Sequence, residues 1–255
     1  MDYARKRIVI ADMDGTLTPS KSMVEPSMVK LITTLLNYKD FAVIGGGRYS
    51  QFQNQFVAGL PSNSAAFSRL YLFPTCATTF YRFVDGQWKQ IYTENLSADE
   101  RAKIMQAFDT ALVEAGFKRP ERLFGEMIED RGTQVTFSAF GQLAPHELKN
   151  EWDPDAQKRL NIIKYLEKLI PEFEIRVGGA TSIDVTKKGI DKAYGIKKIN
   201  EILGYAFDEM MFIGDALFEG GNDYPVKRTG VECIQVKGPQ DTEKILKEII
   251  ESSKS

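Results

Sequence analysis

Two acids close an apolar run near the start of this chain: Ile8-Val9-Ile10-Ala11-Asp12-Met13-Asp14-Gly15-Thr16. The run is too short for a helix and reads as a buried central strand. In open α/β sheets the chemistry gathers beyond the carboxyl ends of the strands, where Asp12 and Asp14 fall. Two like charges one residue apart are costly unless a cation or a shared proton offsets them. An oxygen-seeking Mg2+ meets that need. Gly15 lets the backbone turn closely and present an N–H to an anion. A second strand-end acid, Asp215, follows Met210-Met211-Phe212-Ile213-Gly214, with Asn222 and Asp223 a few residues on. The single histidine, His146, excludes multi-histidine metal sites and lies in a polar stretch that reads as surface. Carboxylates and a metal must therefore carry any hydrolysis.

Composition narrows the class. The chain has 255 residues, 43% hydrophobic and 27% charged, with a formal net charge of −2. That is an ordinary globular balance with no basic field for nucleic acid. Two cysteines, Cys76 and Cys233, are too few for a secreted disulfide framework. No signal peptide or membrane-spanning stretch is read, so a cytoplasmic protein with no membrane partner is expected. The oligomeric state stays open, a homodimer included.

The elements that position the acids alternate. A helix from Glu25-Pro26 to about Leu36 follows the first strand, with proline suited to the first helical turn. A second strand, Phe41 to Ile44, ends in Gly45-Gly46-Gly47-Arg48, and a helix from about Ser50 leads to a third strand, Leu70 to Phe73. This βαβαβ order predicts a parallel sheet with helices on its faces. The pattern then changes. Thr79–Val84 and Gln87–Tyr92 flank Asp85-Gly86, a type I′ hairpin signal. Ser97-Ala98-Asp99-Glu100 is a capping box for a helix ending near Gly116. Strands are expected near 126–128, 134–140, 173–177 and 182–185, with a helix opening at Asp153-Pro154. From Asp191 the α/β rhythm returns. The expected architecture is α/β: a discontinuous core of residues 1–83 and 187–255, with a Rossmann-like parallel sheet, and an inserted α+β cap over 84–186.

Asp12-Met13-Asp14-Gly15-Thr16 resembles the first motif of the haloacid dehalogenase phosphotransferase superfamily. The resemblance implies that Asp12 is the nucleophile, forming an aspartyl-phosphate, and Asp14 the general acid/base. Gly214-Asp215 through Gly220-Gly221-Asn222-Asp223 resembles the acidic fourth motif. It implies Mg2+ held by Asp12, the backbone carbonyl of Asp14 and Asp215, with Asn222 and Asp223 orienting the metal's shell and a lysine. That lysine is Lys192, in Gly189-Ile190-Asp191-Lys192, at a helix start whose N-terminus adds positive potential; Lys187 and Lys188 are nearby competitors. The second motif departs from the family. Its usual hydroxyl is absent from the glycine turn, where backbone N–H groups of Gly46 and Gly47 and the charge of Arg48 could substitute.

The insert resembles the cap of the type IIB branch, and of the eukaryotic-type phosphomannomutases in particular, on Gly178-Gly179-Ala180-Thr181-Ser182-Ile183-Asp184-Val185, Gly189-Ile190-Asp191-Lys192, Gly220-Gly221-Asn222-Asp223 and Gly238-Pro239-Gln240-Asp241-Thr242. The resemblance implies that Ser182 and Asp184 hold sugar hydroxyls and that Arg131 grips a distal phosphate. Two positions depart from it: Gln142 stands where a second cap arginine is expected, and Lys21 replaces an arginine after the first motif. Weaker cationic grip favours release over the return of a bisphosphate intermediate. The leading expectation is therefore an Mg2+-dependent phosphohydrolase of a small phosphorylated metabolite, a sugar phosphate first, with the cap closing to exclude water. A phosphomannomutase-like isomerase is the alternative. A phospho-acceptor or sugar-phosphate-binding protein with little turnover is a third.

Overall fold

A computed structural model describes residues 2–19, 22–61 and 64–254; Lys21 lies outside them. In chain order the strands are β1 (Ile8–Asp12), β2 (Asp40–Ile44), β3 (Leu70–Phe73), β4 (Thr79–Val84), β5 (Gln87–Thr93), β6 (Ile128–Asp130), β7 (Val135–Ser138), β8 (Phe173–Val177), β9 (Ser182–Lys187), β10 (Met210–Gly214) and β11 (Glu232–Gln235). Two compact units form, Met1–Thr93 with Asp191–Ser255, and Glu94–Ile190.

The first unit holds a seven-stranded sheet in the order β11-β10-β1-β2-β3-β4-β5. Its first five strands run parallel; β4 then pairs antiparallel with β3, and β5 antiparallel with β4. Every residue of β1, β2 and β10 is buried, which is why these strands read as apolar runs rather than alternating ones. The two-residue period still sorts their side chains. Val9, Ala11, Phe41 and Val43 pack with Met28, Ile32 and Leu246, from the helices Pro26–Leu35 and Pro239–Ser252. Ile8, Ile10, Ala42 and Ile44 pack with Ile196 and Ile199 of the helix Lys192–Leu203. The ring of Phe41 is wholly buried, and its truncation to alanine would cost about 3–5 kcal/mol.

The hairpin has positive φ at both Asp85 and Gly86, as a type I′ turn requires. Its second strand stays with the large sheet, so the units part at 93/94 and 190/191 rather than at the 83/84 and 186/187 read from sequence. The physical reason is cross-strand pairing: β5 is hydrogen-bonded to β4 along its length, and a hairpin is not divided between two cores.

The second unit is an antiparallel sheet, β6-β7-β9-β8, with helices Ala98–Glu114 and Gln157–Leu169. Val135, Phe137, Ile183 and Val185 pack against Ile104, Phe108, Ile162 and Leu166. The alternating positions, Thr136, Ser138, Ser182 and Asp184, make a polar face. The capping box forms as read: Glu100 N–H donates to Ser97 Oγ at 3.1 Å and Ser97 N–H to Glu100 Oε2 at 2.6 Å. The helix expected from Asp153 starts at Gln157 instead. Asp153 caps that start, accepting from the N–H groups of Lys158 (2.9 Å) and Arg159 (3.1 Å). A short helix, His146–Trp152, was not anticipated from the polar stretch before it. No described helix is long and apolar enough to cross a membrane.

Candidate active site

Strand order places β1 between β10 and β2, so the chain runs outward to both sides from the β1/β10 pair. That is the switch point at which open α/β sheets bind ligands. Asp12 is the last residue of β1, and Asp215 follows the last residue of β10. Gly15 adopts φ +89°, and a Cβ there would lie 2.5 Å from Asp215 Oδ2. Glycine is thus required both by conformation and by the approach of an acid. Thr16 ties the two strand ends together: its Oγ1 accepts from Asp215 N–H at 3.0 Å and donates to Asp215 Oδ1 at 3.3 Å. Thr242 Oγ1 in turn donates to Thr16 O at 2.8 Å. The first motif spells out Thr16; Thr242 closes the Gly238–Thr242 stretch of the resemblance, which gave it no role at the site. Asp14 is half-buried just beyond β1, in a backbone bridge with Thr18.

Lys192 opens its helix, with Asp191 as N-cap accepting from Tyr194 N–H at 3.0 Å. Arg228 pairs with the other oxygen of Asp191. Lys192 is 2% exposed, and its Nζ donates to Asp12 Oδ1 at 2.5 Å and to Asp223 Oδ1. Asp223 Oδ2 accepts from Ala216 N–H at 3.0 Å, so both of its oxygens are engaged. Burial works against the Lys192 charge, but Asp12 and Asp223 outweigh it and hold the ammonium above the ordinary lysine range. Burial pushes the Asp12 carboxyl well up; Lys192 counters this, while Asp223 and Asp215 add to it. Asp215 is raised for the same first reason, with Asp223 second.

Among the described residues Asp12, Asp215 and Asp223 each bring one carboxylate oxygen within 4.8 Å of the others. These are hard oxygen donors at excess negative charge, the donor set a Mg2+ ion takes. Asn222 Oδ1, on the residue before Asp223, is buried and accepts no hydrogen bond among the described residues. The residues therefore fit the expected ion.

The glycine turn lies at the carboxyl end of β2. Arg48 N–H donates to Gln51 Oε1 at 2.8 Å, and a Cβ on Gly47 would lie 2.9 Å from that same oxygen. Gly46 precedes both in the turn.

In the second unit, Asp184 Oδ1 accepts from Thr136 Oγ1 and Gln134 Nε2, both at 2.8 Å. Register sets Ser182 opposite Ser138 and Asp184 opposite Thr136 on one side and Arg176 on the other. Gly178 packs closely here: a Cβ would fall 2.9 Å from both Asp184 Oδ2 and Ser182 Cβ. Arg159, buried and paired to Asp153 at 2.8 Å, donates to the carbonyls of Gly178 and Gly179. Arg131 is paired to Glu129 through Nε at 2.7 Å and Nη2 at 2.6 Å. At Gln142 the neutral side chain has a cation close by, since Lys149 Nζ donates to the Gln142 carbonyl at 2.9 Å. Arg176, Arg159 and Lys149 were not singled out from sequence. The strand alternation could have flagged Arg176; the other two act on main-chain carbonyls, which leave no sequence signal.

A parallel sheet with acids at its switch point and a buried lysine among them defines a haloacid dehalogenase-superfamily enzyme. Within it the chain belongs to the eukaryotic phosphomannomutase family, whose model matches residues 28–252. It is 30% identical over 250 residues to a phosphomannomutase of Saccharomyces cerevisiae, covering 95% of this chain and 93% of that protein. It is 28% identical over 259 residues to one of Spinacia oleracea, covering 97% of each. Among solved structures, an N-terminally truncated IMP-nucleotidase of Plasmodium falciparum shares the fold with TM-score 0.71 at 16% identity, over 98% of this chain and 71% of that one.

Proposed function

We propose that this protein is a Mg2+-dependent phosphohydrolase of a small phosphorylated metabolite, a sugar phosphate first, working through an aspartyl-phosphate on Asp12. The observation that carries the reading is the buried cluster of Asp12, Lys192, Asp215 and Asp223 at the sheet's switch point. Asp12 attacks phosphorus, and Asp14 gives its proton to the departing alkoxide. Asp14 then takes a proton from the water that opens the acyl phosphate. Lys192 counters the upward push that burial gives the Asp12 carboxyl and faces the phosphoryl oxygens with a fixed charge. A bound Mg2+, on Asp12, the Asp14 carbonyl and Asp215 with Asn222 and Asp223 behind, would supply further charge neutralisation there. Amides of Gly46 and Gly47, with Arg48 beside them, stand in for the missing hydroxyl.

Substrate choice is assigned to the polar face of the second unit, with Ser182 and Asp184 on sugar hydroxyls and Arg131 and the Gln142 turn toward a second anionic group. Preference for hydrolysis is supported by the neutral Gln142 side chain and by Glu129, which already neutralises Arg131. Isomerisation is the second reading, favoured by the family match. A panel of phosphorylated metabolites with Mg2+, read by phosphate release, tests the proposal. Release from a sugar phosphate at a kcat/KM above about 10^4 M−1s−1, the low end of ordinary enzymes, is expected. No release from any member of the panel, with no isomer formed, would overturn it.

A further inference from the structure

After β3 the chain does something few sequences tolerate. Thr75 (φ 51°), Cys76 (φ 56°) and Ala77 (φ 66°) are three consecutive left-handed residues, none of them glycine. For a β-branched threonine this is a genuine outlier. Such conformations persist only where the surroundings over-determine them, and they collect at functional sites. Here the surroundings are identifiable. Thr75 N–H donates to Gly47 O at 2.8 Å, and Cys76 N–H to Gly45 O at 2.9 Å. Thr75 Oγ1 shares a hydrogen bond with Thr78 Oγ1 at 2.5 Å, and Tyr92 OH donates to Ala77 O at 2.8 Å. On another side, a Cβ added to Gly195 would lie 2.8 Å from Ala77 Cβ and 3.0 Å from Ile44 Cδ1. Gly195 belongs to the helix that begins at Lys192.

We infer that the left-handed turn Pro74–Ala77 is a positioning element for the phosphoryl pocket, setting the amide planes of the glycine turn and the seat of the Lys192 helix. The inference rests on the phosphotransfer reading above. Left-handed residues in succession aim successive N–H groups the same way, and here they meet the carbonyls of Gly45 and Gly47. In a trans peptide the N–H lies opposite the carbonyl. Fixing those two carbonyls therefore turns the amides of Gly46 and Arg48 away from the strained turn. The Arg48 N–H is seen to point elsewhere, to Gln51 Oε1. A right-handed turn at 75–77 would carry its N–H groups off the glycine carbonyls and release both peptides. The close contact of Ala77 with Gly195 couples the same turn to the helix that carries Lys192. This explains how a second motif without a hydroxyl is kept in register with the lysine.

The test uses the conformational demand at Cys76, whose side chain the argument does not need. Cys76→Gly and Cys76→Asn accept the left-handed region; Cys76→Val resists it. The measurements are kcat, KM, the inhibition constant of inorganic phosphate in the presence of Mg2+, and the melting temperature. Cys76→Gly and Cys76→Asn are expected to stay within about threefold of the wild type in phosphate inhibition, and Cys76→Val to weaken it at least about tenfold, or ~1.4 kcal/mol. Gly195→Ala, pushing on the turn from the helix side, should weaken phosphate inhibition likewise. A lower melting temperature for Cys76→Val with an unchanged phosphate constant would overturn the inference, leaving a merely structural turn. If Cys76→Val does not fold, an unchanged constant in Gly195→Ala overturns it equally. A wild-type protein with no turnover and no phosphate inhibition would instead sink the phosphotransfer reading itself.

Discussion

Lys192 Nζ lies 2.5 Å from Asp12 Oδ1, although the two residues are 180 positions apart in the chain. Both side chains are nearly dry, at 2% and 5% exposed. The pair persists because Asp223 also binds the ammonium, so the cation is held by two acids rather than one. A buried ion pair is weak evidence for stability, since desolvation offsets most of its attraction. Its value here is chemical: it sets a carboxylate at the end of a central strand, with a fixed positive charge against it.

Turnover should therefore depend on Asp12. Asp12→Asn keeps the shape and removes the nucleophilic charge, and a loss of at least about 10^2 in kcat is expected, roughly 2.7 kcal/mol of barrier. Steady-state assays on the best substrate decide this. A variant within about tenfold of wild type is incompatible with the mechanism.

Chelation should abolish activity and also lower stability. An ion that binds only the folded protein adds about 2.7 kcal/mol at a hundred times its dissociation constant. Melting curves with and without Mg2+ are expected to separate for the wild type and to coincide for Asp215→Asn. EDTA-resistant turnover would contradict the assigned donor set.

Arg131→Ala and Asp184→Asn should act on substrate choice. Both side chains sit in the second unit, Arg131 against Glu129 and Asp184 under Thr136 and Gln134. Each variant is expected to lose at least about tenfold more kcat/KM on a sugar phosphate than on a small aryl phosphate, about 1.4 kcal/mol of differential binding. Equal losses on both substrates would remove these residues from the recognition site.

The partition between hydrolysis and isomerisation should favour hydrolysis. With mannose 1-phosphate or glucose 1-phosphate and a trace of 1,6-bisphosphate, free phosphate is expected to exceed the 6-phosphate isomer. Gln142→Arg, which restores a fork for a second phosphate, should move the ratio toward isomer. A wild-type yield dominated by 6-phosphate would assign the protein as a mutase.

Alkali should unfold the protein earlier than its core alone would dictate. Tyr71 OH and Tyr205 OH both donate to Asp40 Oδ2 at the amino end of β2. Burial first, and then the Asp40 charge, push Tyr71 up to about 12; burial and the Asp40 hydrogen bond raise Tyr205 further. A phenol raised in the folded state contributes stability that is intact below its unfolded value near 10 and is lost as pH climbs through the folded value. Urea midpoints measured from pH 8 to 12 should fall above pH 10, and the fall should be shallower in Tyr71→Phe. An identical slope in both proteins would show that these phenols are not the cause.

Much of this protein is legible along the chain, because local rules decide it. The dry strand Ile8–Asp12, the glycine after the acids, the Asp85-Gly86 turn and the Ser97–Glu100 box each follow from a few neighbouring residues. Asp12, Asp215 and Lys192 could be singled out because each stands at the end of an apolar strand or the start of a helix, where the physics of sheets and helix termini puts reactive groups. Only the tertiary structure decided what no local window contains. It kept β5 with the large sheet, set Asp223 and Asp12 on one ammonium, brought Lys149 to the carbonyl of Gln142, and held Thr75, Cys76 and Ala77 left-handed against the glycine turn. Those outcomes depend on contacts between distant segments, and on main-chain carbonyls that every residue carries alike. Side-chain spacing reports the first poorly and the second not at all.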